Sequence, residues 1–226
     1  MKIIETLKHV CKSSRTERRK AVCSLFPGHL IETDGYSSNI VVPAKNRKNM
    51  IVLTAHYDNF PGSLGYNDNG TGMTALIKFH DRNREILPDN VELVFTDHEE
   101  CGGLGSRLYI DQHANDIQCN INIDVVGYGR KLFYENYGDF PIYLNNKFAS
   151  RCEDIPFNDA QIFNRNGIPS ILLIAGNNRQ DMVHDVFMVQ HGGPDDNKLE
   201  LINEDTIETT VKYLECILIK PQGVLF

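Results

Sequence analysis

The sequence lacks the features that mark a membrane protein or a nucleic-acid-binding protein. It contains no apolar run long enough to span a bilayer, and the apolar stretch after Met1 is too short for a signal peptide. The net charge is −7, from 23 basic and 30 acidic residues, which argues against general binding to nucleic acids or anionic membranes. We therefore expect a cytoplasmic protein with no nucleic-acid partner and no membrane partner.

Closely spaced cysteines are also absent. The six cysteines are widely scattered, and none forms the Cys-x-x-Cys pair of a zinc ribbon or a redox motif. In a cytoplasmic protein we expect all of them to be free thiols. Cys101 directly follows two adjacent glutamates, and we expect it to be a small buried packing residue.

The chain shows no internal repeat, low-complexity tract or linker. With 226 residues, of which 41% are hydrophobic, it can bury a substantial core, and we expect a single domain over residues 1–226. From residue 50 onward, strand patterns alternate with helix patterns. This alternation predicts an α/β fold with a largely parallel sheet covered by helices on both faces.

The same patterns predict the elements around this alternating region. We expect an N-terminal helical region from about residue 3 to 26 and a closing helix over residues 204–217. Short strands are expected at residues 29–33, 39–42, 132–134, 162–163 and 170–174.

A basic cluster lies in the N-terminal helical region, at Arg15, Arg18, Arg19 and Lys20. It overlaps the run from Ser14 to Glu17, a capping-box pattern typical of a helix start. Because the overall charge is negative, we interpret the cluster as the solvated face of a short helix rather than an anion-binding patch.

Histidine and carboxylate side chains follow the predicted strands and loops at positions that suit a metal site. His56 and Asp58 end an apolar strand, and residues two apart in an extended chain point to the same side. We interpret His56 as a metal ligand and Asp58 as the group that hydrogen-bonds the ring's other nitrogen. Asp68 lies in a glycine-rich segment before a predicted helix, where free amides favour a carboxylate, and we predict that it bridges two metals.

Three later segments supply the remaining candidates. Glu99 and Glu100 follow a strand, and adjacent side chains project in different directions, so Glu99 can act as general base while Glu100 binds a metal. Asp124 lies near the end of a buried strand, where an unpaired carboxylate is costly unless a metal or hydrogen bonds hold it. His191, in a late loop, is the last predicted ligand, and His184 is its rival.

Taken together, these segments resemble the di-zinc aminopeptidase family of bacterial leucyl-type aminopeptidases, whose wider group includes glutamate carboxypeptidase and glutaminyl cyclase. The resemblance extends from Val52 to about Ile202. It implies a mixed, largely parallel central sheet flanked by helices, the phosphorylase/hydrolase-like fold of zinc exopeptidases. The motifs that carry it are His-Tyr-Asp, Gly-Tyr-Asn-Asp-Asn-Gly-Thr-Gly, Glu-Glu-Cys-Gly-Gly-Leu-Gly-Ser, Asn-Ile-Asp-Val-Val-Gly and His-Gly-Gly-Pro-Asp.

By this resemblance, His56 and Asp124 would hold one zinc, Glu100 and His191 would hold the other, and Asp68 would bridge the two. A departure is Gly192, since the family usually has a threonine after the final histidine. The implied function is an aminopeptidase with two zinc ions per chain. A water bridging both metals would be activated by a glutamate base and would attack a peptide substrate.

Alternatives on the same scaffold remain. A glutaminyl-cyclase-like acyltransferase would need only a single zinc. A carboxypeptidase would need a cation for the substrate carboxylate, and the candidates are Arg107, Arg151, Arg165 and Arg179. A catalytically inactive binding protein of this fold would be expected to have lost Glu99 or a ligand, and none is replaced.

Cobalt or manganese would also suit these nitrogen and oxygen ligands, and the oligomeric state stays open.

Overall fold

An eight-stranded mixed sheet forms the centre of the protein, with strand order β1-β2-β4-β3-β5-β8-β6-β7. The computed structural model describes residues 1–179 and 194–219. The strands are β1 Leu30–Thr33, β2 Ser38–Val42, β3 Met50–His56, β4 Val91–Thr96, β5 Ile117–Ile123, β6 Lys131–Tyr137, β7 Ala149–Arg151 and β8 Ser170–Gly176.

Strands β4, β3, β5 and β8 are neighbours and run parallel, whereas β1, β2 and β6 pair antiparallel with at least one neighbour. The four parallel strands are almost completely buried, as expected for strands covered on both faces. The predicted mixed, largely parallel sheet is therefore confirmed.

Within the described residues, six helices cover this sheet: α1 Ile3–Val10, α2 Arg15–Cys23, α3 Gly72–Asn83, α4 Leu104–His113, α5 Asp159–Arg165 and α6 Glu204–Leu218. Successive side chains of β3 point to opposite faces. Leu53 and Ala55 pack in the cluster that includes residues of α1, α3 and α6, whereas Met50 and Val52 pack with residues of α4 and α5. Both faces of the sheet are thus buried against helices, as the sequence predicted.

The N-terminal helical region consists of two helices. Residues 11–14 separate α1 from α2, and the side chain of Ser14 accepts a hydrogen bond from the amide of Glu17 and so caps α2. The prediction of a solvated basic face on α2 is wrong for Arg18, which is fully buried. No helix in the described part of the chain combines the length and apolar character needed to cross a bilayer.

The predicted strand at residues 162–163 is wrong. These residues belong to α5, whose N-cap Asn158 accepts a hydrogen bond from the amide of Gln161. Ile162 and Phe163 are apolar because this helix buries them against the sheet, in the same cluster as Tyr109 of α4. A two-residue apolar run does not distinguish a strand from the buried face of a short helix.

Candidate metal centre

The carboxyl ends of three neighbouring parallel strands carry two predicted ligands and the predicted general base. His56 is the last residue of β3, Asp124 directly follows β5, and Glu99 comes three residues after the end of β4. Since β3 lies between β4 and β5 in the sheet, these ends meet at one edge. Open α/β sheets bind their ligands at this edge.

Three buried side chains converge there. His56 Nε2 lies 2.9 Å from Asp68 Oδ1 and 3.5 Å from Asp124 Oδ1. One ligand atom from each residue lies within 4.8 Å of the other two, which makes these three a candidate metal-binding group. Asp68 lies in the segment Tyr66–Thr71, which leads directly into α3, and its own backbone is not helical, with a φ of −105° and a ψ of 98°.

Asp58 lies on the other side of the His56 ring. Its carboxylate is 3.3 Å from Nδ1, and its backbone carbonyl oxygen is 3.2 Å from the same nitrogen. The two carboxylate oxygens also accept hydrogen bonds from the amides of Glu99 and Glu100, at 3.1 Å and 3.2 Å. Asp58 therefore joins the ends of β3 and β4 and leaves Nε2 of His56 directed at Asp68 and Asp124.

The separations between the converging atoms fit a divalent metal. Two ligands on a tetrahedral zinc, each about 2.0–2.2 Å from the ion, lie roughly 3.3 Å apart. His56 Nε2 and Asp124 Oδ1 are buried, and neither makes a contact with hydrogen-bond geometry among the described residues despite their short separations. Buried polar atoms without hydrogen bonds are costly, and coordination of a cation would satisfy them. This donor set of one imidazole and two carboxylates suits zinc.

Neither Asp58 nor Asp124 pairs with a lysine or arginine within the described residues; each lies beside His56. Burial raises the pKa of Asp124 to about 6, and it raises the pKa of Glu100 to about 8, with the charge of Asp68 adding to both. Burial alone would lower the pKa of His56, but Asp124 and the adjoining carboxylates hold it well above its ordinary value.

These pKa directions share one physical cause. Several carboxylates lie close together and are largely buried, so the metal-free protein favours bound protons there. A divalent cation would supply the same positive charge and release those protons. The electrostatics and the geometry therefore both favour a bound metal.

Asparagine side chains hold the loop of Asp68 against the end of β5. The side chain of Asn69 donates a hydrogen bond to the carbonyl of Ile123 at 2.8 Å and accepts one from the amide of Val125 at 3.3 Å. Ile123 and Val125 flank Asp124, and Asn69 directly follows Asp68. The Asn69 side chain therefore fixes the separation of the predicted ligands Asp68 and Asp124. The glycine-rich motif contains this asparagine, but sequence reasoning assigned it no role.

Two further buried carboxylates lie beside the centre. Asp159, at the start of α5, accepts a hydrogen bond from Thr96 Oγ1 at 2.7 Å, and its charge adds to the burial that raises the pKa of Glu99. Asp196 accepts hydrogen bonds from the amides of Asn67 and Asp68, both at 2.9 Å. The sequence offered a weak signal for Asp196, in the late Gly-Gly-Pro-Asp segment, and none for Asp159.

The structure places the predicted residues as follows. His56, Asp68 and Asp124 converge, and Asp58 contacts the His56 ring. Glu99 and Glu100 lie beside this group, and their backbone amides donate hydrogen bonds to the carboxylate of Asp58. Cys101 is exposed, so the expectation of a buried packing residue is wrong; all six cysteines are free. His191 and its rival His184 lie outside the described residues. The roles of these side chains, two bound zinc ions and a cytoplasmic location stay predictions.

Comparison with known proteins gives a consistent result. Residues 39–195 match the family model of Peptidase family M28. Aminopeptidase YwaD of Bacillus subtilis is 33% identical over 102 residues, an alignment that covers 40% of this chain and 22% of that protein. The matched region is thus a minor part of that relative's length.

Two solved structures show the same fold. The zinc aminopeptidase BSAP of Bacillus subtilis superposes with a TM-score of 0.64 and 22% identity, covering 82% of this chain and 51% of that one. Glutaminyl cyclase of Bacteroides thetaiotaomicron, bound to N-acetylhistamine, superposes with a TM-score of 0.68 and 16% identity, covering 97% of both chains. With the family match over most of its length, the chain belongs to Peptidase family M28, a family of metallopeptidases.

Proposed function

We propose that the protein is an exopeptidase with two zinc ions, and that it acts as an aminopeptidase. The observation that supports this most directly is the buried convergence of His56, Asp68 and Asp124 beside Glu99. Asp68 would bridge the ions, Glu100 and His191 would complete the second site, and zinc when bound would acidify a water molecule and polarise the peptide carbonyl.

Glu99 is the proposed general base. Its side chain is 7% exposed, its pKa is raised by burial, and the charges of Asp124 and Asp159 add to that effect. The carboxylate would take a proton from the attacking water and return it to the leaving amine. The hydrogen bond from the Glu99 amide to Asp58 holds this residue at the end of β4.

The charge of the centre favours recognition of a substrate amine over recognition of a substrate carboxylate. The five carboxylates of the proposed roles and two zinc ions together leave a net charge of about −1, and a peptide's terminal ammonium is attracted to a negative site. The four arginines proposed for a carboxypeptidase are all exposed; Arg151 pairs with Glu153 and Arg165 contacts Gln161. These observations support cleavage at the amino terminus.

A glutaminyl-cyclase-like acyltransferase is the second candidate, because a cyclase shares the fold over 97% of both chains. A single-zinc enzyme does not need a complete second set of ligands. Two metals are favoured because the sequence offers Glu100 and His191 as further ligands beyond the group of His56, Asp68 and Asp124.

Metal content and peptide hydrolysis, measured together, test this proposal. We expect about two zinc ions per chain by elemental analysis, release of N-terminal residues from a mixed peptide pool, and loss of release after chelation that added zinc restores. One zinc per chain with cyclisation of N-terminal glutamine and no hydrolysis would favour the acyltransferase. Release of C-terminal residues would favour the carboxypeptidase, and no bound metal would contradict all three.

A further inference from the structure

Arg18 of α2 is fully buried immediately behind the metal centre. Its Nε donates to the carbonyl of Tyr57 at 2.6 Å, and one terminal nitrogen donates to the carbonyl of Leu64 at 2.7 Å and approaches that of Gly65 at 3.4 Å. Tyr57 lies between His56 and Asp58, whereas residues 64 and 65 begin the loop that leads to Asp68. A single guanidinium thus connects two of the three segments that carry the converging ligands, those of His56 and Asp68.

The position is unusual for an arginine. Within the described residues it forms no ion pair with a carboxylate, and its second terminal nitrogen is buried without a hydrogen-bond partner. Burying a charge in this way is costly, so carbonyl oxygens must supply most of its compensation. The rigid, planar fork of donors of an arginine can hold two separate backbone segments at once, which a lysine ammonium does less well.

Asp196 binds the backbone amides of the same loop, whereas Arg18 binds its carbonyls. It accepts hydrogen bonds from the amides of Asn67 and Asp68, and from the hydroxyl of Ser63. Asp196 is 1% exposed and lies five positions after His191 in the sequence. A cation therefore holds the carbonyls at one end of the loop, and a carboxylate holds the amides at the other end.

Both charged groups act on one neighbouring thiol. Burial raises the pKa of Cys11 to about 11, while the charge of Arg18 lowers it and the charge of Asp196 raises it. Cys11 also donates a hydrogen bond to the carbonyl of Gly65, at 3.3 Å. Arg18, Asp196 and Cys11 thus all bind the same loop.

We propose that Arg18 and Asp196 are positioning residues that together hold residues 63–68 so that Asp68 faces His56. This inference rests on the proposed metal function of Asp68. Neither residue touches a metal or a substrate in this role: each fixes backbone atoms next to a ligand. Ligands held in the productive geometry do not have to be ordered when the ion binds, so loss of either positioning residue lowers metal affinity.

The test compares zinc affinity with folding stability in the same variants. Arg18→Met and Asp196→Ala are prepared metal-free, and zinc binding is measured by competition with a chromogenic chelator, alongside urea unfolding. We expect each substitution to weaken zinc binding about 10- to 100-fold. The double variant should lose less zinc affinity than the product of the two single fold-losses, because both residues hold one loop.

Arg47→Met is the matched control. Unlike Arg18, Arg47 forms an ion pair with a buried carboxylate, Glu92 at 2.7 Å, and Glu92 lies near the start of β4, away from the strand ends that carry the ligands. We expect this substitution to lower stability and leave zinc affinity within about twofold. If Arg18→Met does not fold, Arg18→Lys keeps the charge but loses the fork of donors, and its zinc affinity should still fall.

The outcomes separate this inference from the proposed function. Zinc affinity in Arg18→Met and Arg18→Lys equal to that of the Arg47→Met control would overturn the positioning role, even if the wild-type protein hydrolyses peptides. Weakened zinc binding in these variants would support it even if the wild-type protein released no amino acid. A wild-type protein without zinc affinity would contradict both.

Discussion

At the scale of the residue, two aspartates of the centre have the same side chain and different surroundings. Both oxygens of Asp58 accept backbone amide hydrogen bonds, so its carboxylate is committed to holding Glu99 and Glu100. Oδ1 of Asp124 has no hydrogen bond among the described residues and lies 3.5 Å from His56 Nε2. The surroundings rather than the residue type thus favour a supporting role for Asp58 and a metal-ligand role for Asp124.

The first prediction concerns Glu99. Glu99→Gln keeps the size of the side chain but removes its basicity, so we expect kcat for peptide hydrolysis to fall about 10²- to 10⁴-fold. Zinc content should not change, because Glu99 is not a predicted ligand. Steady-state kinetics with elemental analysis checks both expectations. Glu85→Gln is the control, since Glu85 is exposed and its one ion pair among the described residues is with exposed Arg84. Retention of full activity by Glu99→Gln would refute the general-base role.

Arg18 shows where reasoning residue by residue fails. Its neighbours in sequence are charged, and a capping pattern correctly predicted the helix on which it lies. Which face of that helix is solvated depends on what packs against it. The carbonyls of Tyr57 and Leu64, 39 and 46 positions away, bury the guanidinium.

At the scale of the element, the loop before α3 decides the position of Asp68. Gly65 has a φ of +55°, and a Cβ there would lie 2.4 Å from the carbonyl oxygen of Asp68 and 2.8 Å from a terminal nitrogen of Arg18. Gly62, three positions earlier, has a φ of +90° and no atom within 4 Å of such a Cβ. The two glycines share the left-handed region of φ but differ in the space around them.

This difference predicts distinct effects of two alanine substitutions. Gly62→Ala should lower the free energy of unfolding by about 1–2 kcal/mol through backbone strain alone, with zinc affinity unchanged. Gly65→Ala must also displace the backbone at Asp68, and we expect it to weaken zinc binding at least tenfold and to be the less stable variant. Urea unfolding and chelator competition measure these effects. Equal zinc affinities in the two variants would show that the loop tolerates the displacement.

The elements that the sequence misassigned are the short ones. The strands that become β3, β4 and β5 have long apolar patterns, and each was predicted. The three-residue strand β7 and the seven-residue helix α5 have patterns too short to distinguish, and only their packing defines them.

At the scale of the whole molecule, the cluster of buried carboxylates sets how stability depends on pH. The folded, metal-free protein binds protons at Asp124 up to about pH 6 and at Glu100 up to about pH 8, whereas an unfolded chain releases them near pH 4. The raised pKa of His56 changes stability in the same direction, because the folded state again holds the extra proton. Stability falls with rising pH wherever the folded state binds more protons.

We therefore predict that the metal-free protein unfolds at lower urea concentration at pH 8 than at pH 5.5. With excess zinc the order should reverse, because zinc competes with those protons and binds more tightly as pH rises. Asp124→Asn should reduce the change in the free energy of unfolding of the metal-free protein between pH 5.5 and pH 8. Asp89→Asn, at an exposed ion pair with Lys45, should leave that change as it is in the wild-type protein. A metal-free protein that gains stability between pH 5.5 and pH 8 would contradict the proposed electrostatics.

Sequence alone determined the α/β class, the long strands and the side chains now found at their carboxyl ends. These follow from local patterns: apolar runs specify buried strands, and polar residues at the ends of parallel neighbours lie at one edge. Tertiary structure alone decided that Arg18 is buried, that Asp159 and Asp196 adjoin the centre, and that Asn69 holds the flanks of Asp124. Those contacts join residues far apart in the chain, and only the packing of α2, α5 and the loop of Asp68 against the sheet brings them together.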